Sequence, residues 1–211
     1  MTLFNKSKKY FKSIQSSFTK FEPNKFWNNR GKSFYKNNPY SEKDYKDQEQ
    51  LILSYLKNLD FTTVLEVGCG YGRITKLINQ NFEIKNYLAT ELSPDLVKIA
   101  TEVNQEFQNI EFKQSTIQDL DIDKKYDLVI GTEVLQHVLP NDIQSSVQKL
   151  VDISKKHVIN VDISFEKIPT NLARHNFAHD YNKIYSQCTN VKKITTKKLG
   201  LLNHTLFHIE K

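Results

Sequence analysis

A chain of 211 residues and 24.7 kDa has room for one sizeable hydrophobic core, and none of its apolar runs approaches the roughly 18 residues that a membrane helix needs. The net charge of +6 is gathered at one end, because residues 1–40 hold nine Lys and Arg against Glu22 alone and the remainder is slightly acidic. An opening without a secretory apolar segment, and only two cysteines, Cys69 and Cys188, argue against a signal peptide and a disulfide framework. The expectation is a soluble cytoplasmic protein with no integral membrane segment.

Residues 1–44 read as a basic, aromatic-rich arm or lid. Phe26, Trp27, Phe34, Tyr35 and Tyr40 surround Arg30, and such a segment either packs on the body or reaches an anionic partner, whether nucleic acid, membrane surface or substrate. Residues 45–211 read as one domain. Asp44–Leu56 has helical spacing with Leu51, Ile52, Tyr55 and Leu56 inward. From Lys57 onward, short apolar runs alternate with longer amphipathic ones. Strands are predicted at Thr63–Val67, Tyr87–Glu91, Ile110–Lys113, Tyr126–Gly131 and His157–Val161, with helices at Gly72–Gln80, Pro94–Asn104 and Asp142–Ser154 between them. Ser93 before Pro94, and Asn141 before Asp142, look like helix starts. This rhythm predicts an α/β, doubly wound sheet that is mostly parallel, with helices on both faces. A helix near Tyr181–Cys188 and two strands, Val191–Thr196 and Thr205–Glu210, follow. A turn around Gly200–Asn203 is too short for a parallel crossover, so these two strands are expected to be antiparallel.

The first strand runs into Glu66-Val67-Gly68-Cys69-Gly70-Tyr71-Gly72 and then a helix, so a ligand can approach the main chain there without obstruction by side chains. Glu91, at the end of the second strand, lies about 20 residues beyond the loop, where a carboxylate accepts hydrogen bonds from ribose hydroxyls in nucleotide folds. A dinucleotide fingerprint requires Gly where this chain has Arg73, and Glu66 would repel a pyrophosphate. A Walker loop requires Gly-Lys-Ser/Thr, and Gly72-Arg73-Ile74 does not supply it. A cationic ligand without phosphate suits this acidic strand end.

These residues resemble the class I S-adenosylmethionine-dependent methyltransferases over about residues 45–163. Glu66 to Gly72 resembles the family's first motif, and Thr90-Glu91-Leu92-Ser93 its ribose-binding strand end. Ser115-Thr116-Ile117-Gln118-Asp119-Leu120 resembles the adenine loop, with Thr116 where relatives often carry Asp. Tyr126 to His137 resembles the fourth strand and the turn behind the sulfonium. The resemblance implies a Rossmann-like methyltransferase sheet that binds S-adenosyl-L-methionine through Glu66, Gly68, Cys69, Gly70, Gly72, Glu91, Leu92, Thr116, Ile117, Gln118 and Thr132.

Methyl transfer from a sulfonium releases a neutral leaving group, so placing the acceptor in line supplies most of the rate, and a base is needed only for a weak nucleophile such as a hydroxyl. His137, four residues after Glu133 and on the same face if the segment is helical, is a candidate base. Glu133 and His179 are further candidates, and Arg174 to Tyr181 is expected to build the acceptor pocket. Arg30 could pair with the methionine carboxylate or with an anionic acceptor. Small-RNA ribose methyltransferases carry Glu-x-x-Glu-His and a later His around a metal. Glu133, His137, His175 and His179 approach that pattern, but Gln136 replaces the second Glu and is a poorer ligand, so no metal site is assigned. No Asn/Asp-Pro-Pro-Tyr/Phe signature of base amino-methylation follows the fourth strand. The expected acceptor is a small molecule methylated on O, N or C. The alternatives are a metal-assisted 2′-O-methylation of RNA recruited by the basic arm, and a non-catalytic cofactor-binding module.

Overall fold

A computed structural model describes residues 21–36, 42–121, 123–164, 172–198 and 204–211. Among these residues seven strands form one sheet: β1 (Thr63–Val67), β2 (Asn86–Glu91), β3 (Ile110–Gln114), β4 (Tyr126–Thr132), β5 (Ser154–Ile163), β6 (Lys193–Lys198) and β7 (His204–Glu210), in the order β3-β2-β1-β4-β5-β7-β6. β7 pairs antiparallel with both β5 and β6, and the other neighbouring pairs are parallel. The expected antiparallel pair is present, with β7 rather than β6 seated against β5. The turn expected at 200–203 lies outside the described residues.

Six helices accompany the sheet among the described residues: α1 (Pro23–Lys36), α2 (Glu42–Leu56), α3 (Arg73–Asn81), α4 (Pro94–Val103), α5 (Ile143–Ile153) and α6 (Tyr181–Ser186). Alternate residues of each central strand point to opposite faces. Leu65 and Val129 join Val147, Leu150 and Tyr185 on the α5–α6 side, whereas Val64 and Leu128 join Ile52, Leu56, Ile78 and Ala100 on the α2–α3–α4 side. The Ser93 hydroxyl accepts from Leu96 N and Pro94 follows it, as expected of that helix start. α5 instead begins after Asp142, whose side chain makes no capping bond. β5 starts three residues earlier than expected, because Ser154 turns directly from the end of α5 into extended backbone and pairs with Tyr126.

α1 crosses the carboxyl ends of the strands and lies against α4. A Cβ on Gly31 would sit 2.1 Å from Ser93 Oγ, so only a glycine permits this approach. Tyr40 and residues 1–20 of the basic arm lie outside the described residues, as does the side chain of Phe34. No helix among the described residues is long and apolar enough to cross a membrane.

Candidate active site

The carboxyl ends of β1, β2 and β4 open into a cavity of about 580 Å³ roofed by α1. The loop after β1 makes this space. Gly68 and Gly70 have left-handed backbones, with φ of 63° and 56°. A Cβ on Gly68 would strike Val134 Cγ2 at 2.4 Å, whereas one on Gly70 would meet nothing within 4 Å, so the Gly70 face is open to a ligand. Cys69, which also lines the cavity, donates its N–H to the Thr90 carbonyl and ties the loop to β2. Gly72 starts α3 and lies away from the cavity wall, where Asn104 Nδ2 bonds its carbonyl.

Glu91 is 7% exposed, and backbone N–H groups fix its carboxylate. Oε1 accepts from Leu92 N at 2.7 Å and Ser93 N at 2.9 Å, and Oε2 accepts from Gly70 N at 3.1 Å. Burial raises its pKa, and the three N–H donors oppose the rise. One lone pair on Oε2 is left for a hydroxyl. Glu66 is occupied differently. Its Oε2 accepts from Thr75 Oγ1 at 2.5 Å and Tyr87 Oη at 2.7 Å, which fastens α3 and β2 beneath the loop, and burial lifts its pKa to about 7.

After β3, Ser115 N bonds the Glu91 carbonyl, and the Thr116 hydroxyl donates to Asp119 Oδ2 at 2.6 Å while accepting Asp119 N–H. Thr116 therefore closes the loop on itself, and with Ile117 and Gln118 it lines one end of the cavity. Leu92 and Thr132 line the cavity as well, and the buried Thr132 Oγ1 has no hydrogen-bond partner among the described residues.

The turn after β4 departs from the helical reading. Glu133 is left-handed at φ 60°, and only Leu135–His137 forms a short 3-10 turn, so Glu133 and His137 do not share a helix face. Glu133 Oε1 accepts from Gln48 Nε2 at 3.0 Å. Gln48 Oε1 in turn accepts from Arg73, which pairs with Glu49 at 2.9 Å and lies 4.2 Å over the Tyr45 ring. His137 Nδ1 meets the His175 carbonyl at 2.8 Å. A carbonyl only accepts, so Nδ1 carries the proton, and the Nε2 lone pair accepts a long bond from Gln136 Nε2 at 3.4 Å. Burial, aided by the charges of His175 and Arg30, lowers His137 to about 4 and holds it neutral near pH 7. His179 lies outside the cavity wall and donates Nε2–H to the Val138 carbonyl at 3.0 Å. His175 stacks on Phe26 at 4.8 Å. Among the described residues, Glu133, His137, His175 and His179 do not converge as a metal-ligand set.

Two residues that shape the site, Gln48 and Asp162, were not picked out from the sequence, and Asn176 was included only as part of the segment from Arg174 to Tyr181. Gln48 bridges α2 to Glu133 and Arg73. Asn176 lines the cavity beside His137, its amide oxygen without a partner among the described residues. Asp162, fully buried at the end of β5, accepts Leu135 N–H at 3.1 Å and Gln136 N–H at 3.3 Å and so fixes the turn that carries His137. Asp162 shares with Glu91 a place near a strand's carboxyl end, but it has no spacing from the glycine loop to single it out.

Residues 64–157 match the family model described as a methyltransferase domain. The chain is 31% identical over 115 residues to a malonyl-[acyl-carrier protein] O-methyltransferase of Acetivibrio thermocellus, covering 52% of this chain and 40% of that protein. It is 33% identical over 111 residues to a ubiquinone biosynthesis O-methyltransferase of Rickettsia akari, covering 52% and 41%. The chain thus spans about two fifths of the length of these curated relatives. In fold it is similar to the S-adenosylmethionine-bound magnesium protoporphyrin IX methyltransferase of Synechocystis, with a TM-score of 0.68 at 16% identity, covering 92% of this chain and 99% of the other.

Proposed function

We propose that this chain is a class I S-adenosylmethionine-dependent methyltransferase that transfers the cofactor's methyl group to an O, N or C atom of a small molecule held beneath α1, a reading supported by the methyltransferase-domain match over residues 64–157. The observation that carries this reading is Glu91, presented to the cavity by three backbone N–H groups beside the open face of Gly70. A ribose would meet this carboxylate. The methionine part would run along Gly68–Gly70, and the adenine would lie by Leu92, Ile117 and Gln118. Four carboxylate residues line the cavity, Glu66, Glu91, Glu133 and Asp142, and suit a cationic ligand. S-adenosylmethionine supplies, when bound, an electrophilic methyl whose departure leaves a neutral thioether.

The chain's own residues then have three tasks. Backbone and Glu91 fix the cofactor, which turns the encounter with the acceptor into a matter of position. α1, with Trp27 against His137 at 4.9 Å, keeps water from the acceptor end. His137 Nε2, on a neutral imidazole, exchanges its long bond from Gln136 Nε2 for one from a hydroxyl or amine and takes the proton as the new bond forms.

Calorimetric titration of S-adenosylhomocysteine tests the reading. Glu91→Ala removes hydrogen bonds to a charged group and should weaken binding roughly 100-fold or more. Gly68→Val drives a side chain into Val134 and should abolish binding. Unchanged affinity in both variants would overturn the assignment.

A further inference from the structure

Two arginines line the cavity, and they have different partners. Arg73 is ion-paired with Glu49, and its charge reaches Glu66 beneath the glycine loop. Arg30 projects from α1, its guanidinium 5.3 Å over the Phe26 ring, and its charge reaches His137 and His175. Among the described residues no carboxylate forms an ion pair with it. Rings wall the same end: Trp27 lies 4.9 Å from His137, His137 lies 5.3 Å from His175, and Phe26 stacks behind His175. Both imidazoles are held toward the neutral form by burial, so Arg30 is the positive charge among these groups near pH 7.

We propose that this end of the cavity recognises a planar, anionic acceptor, in class a hydroxy-substituted aromatic carboxylate, with its ring against Trp27 and its carboxylate on Arg30. The proposal rests on the methyltransferase reading and names its substrate class. A guanidinium fork matches a carboxylate in two parallel hydrogen bonds, and the partly desolvated wall strengthens them. Aromatic side chains select a flat ligand through offset or edge contacts. The Nε2 of His137, which takes only a long bond of 3.4 Å from Gln136 Nε2, and the unpartnered amide oxygens of Gln136 and Asn176 are acceptors, complementary to a hydroxyl that donates. An aliphatic or uncharged acceptor would leave the ring wall or the guanidinium without a counterpart.

Trp27 is the chain's single tryptophan, so its fluorescence reports on this end of the cavity. The full chain, with and without saturating S-adenosylhomocysteine, is titrated with 4-hydroxybenzoate, its uncharged methyl ester, and the non-planar anion cyclohexanecarboxylate. The expected result is saturable quenching by 4-hydroxybenzoate with at least about tenfold higher affinity than either control, a difference of about 1.4 kcal/mol. Arg30→Gln should bring the acid down to the level of its ester, and Arg30→Lys should restore part of the preference. Calorimetric affinity of Arg30→Gln for S-adenosylhomocysteine should stay within about twofold of the parent. Equal affinity for acid and ester, or no saturable quenching by the acid, overturns the proposal. So does a variant that loses S-adenosylhomocysteine but keeps the charge preference, which would give Arg30 to the cofactor. A parent chain that fails to bind S-adenosylhomocysteine counts against the methyltransferase reading, and the titration of the unloaded chain still decides this one.

Discussion

Asp162 carries a buried carboxylate whose two oxygens take the N–H groups of Leu135 and Gln136 in the turn after β4. Burial raises its pKa well above that of an ordinary carboxylate, and the N–H donors oppose this. Asp162→Ala leaves both donors unmet, at about 1–3 kcal/mol each. Urea denaturation should therefore show a loss of roughly 3 kcal/mol, with Asp162→Asn losing less because one acceptor oxygen survives. A loss as small as that of a surface substitution would show that the turn holds itself. Glu91 was legible in the sequence because its role depends on a local spacing from the glycine loop. Asp162 and Gln48 were not, because each acts on groups brought from distant segments, 26 and 85 positions away in the contacts with Gln136 and Glu133. The pairing of Glu133 with His137 on one face failed for a local reason, since a left-handed residue at 133 breaks the helical period on which it relied.

The helix α1 is fastened to the body at separate places: Phe26 on His175, Trp27 on His137, Gly31 against Ser93, and Tyr35 on Tyr71 of the glycine loop. Gly31 is the contact that fails most readily, because a larger side chain meets Ser93 Oγ at 2.1 Å, Ser93 Cβ at 3.1 Å and Leu96 Cγ at 3.4 Å. Overpacking of this kind costs about 1–3 kcal/mol. Gly31→Val should lift α1, red-shift Trp27 emission and weaken S-adenosylhomocysteine by roughly 5- to 150-fold while sparing the unfolding midpoint of the body. Unaltered emission and affinity would mean that α1 does not roof the cofactor. The strands of this sheet were legible, since Val64/Leu65 and Leu128/Val129 advertise two buried faces. The seating of β7 was not, because a hairpin has the same sequence spacing whichever of its strands docks against β5.

Across the molecule, burial lowers the pKa of all six histidines, with His137 and His208 reaching about 4. A histidine depressed in the fold takes up a proton more readily when unfolded, so its contribution is present above about pH 6.5 and is lost as the pH falls toward 4. Glu66 works in the opposite sense. Raised to about 7, it stabilises the fold below its unfolded pKa and loses that contribution as the pH rises toward 7. Scanning calorimetry should show Tm falling between pH 6.5 and 4.5, with a steeper fall in Glu66→Gln, where one opposing contribution is gone and those of Glu91 and Asp162 remain. About 1 kcal/mol corresponds to roughly 2–4 °C in a domain of this size, so the fall is measurable. A Tm that is level or rises on acidification would contradict it. The order of the strands bears on synthesis as well. β7 lies between β5 and β6 yet follows both along the chain, so a nascent β5 leaves the ribosome with one edge unpaired until residues 204–210 arrive. At about 5–20 residues per second, that edge stays open for several seconds. A translational pause in this interval would yield a chain that recruits other strands, and a chaperone that shields β5 would act within the same window.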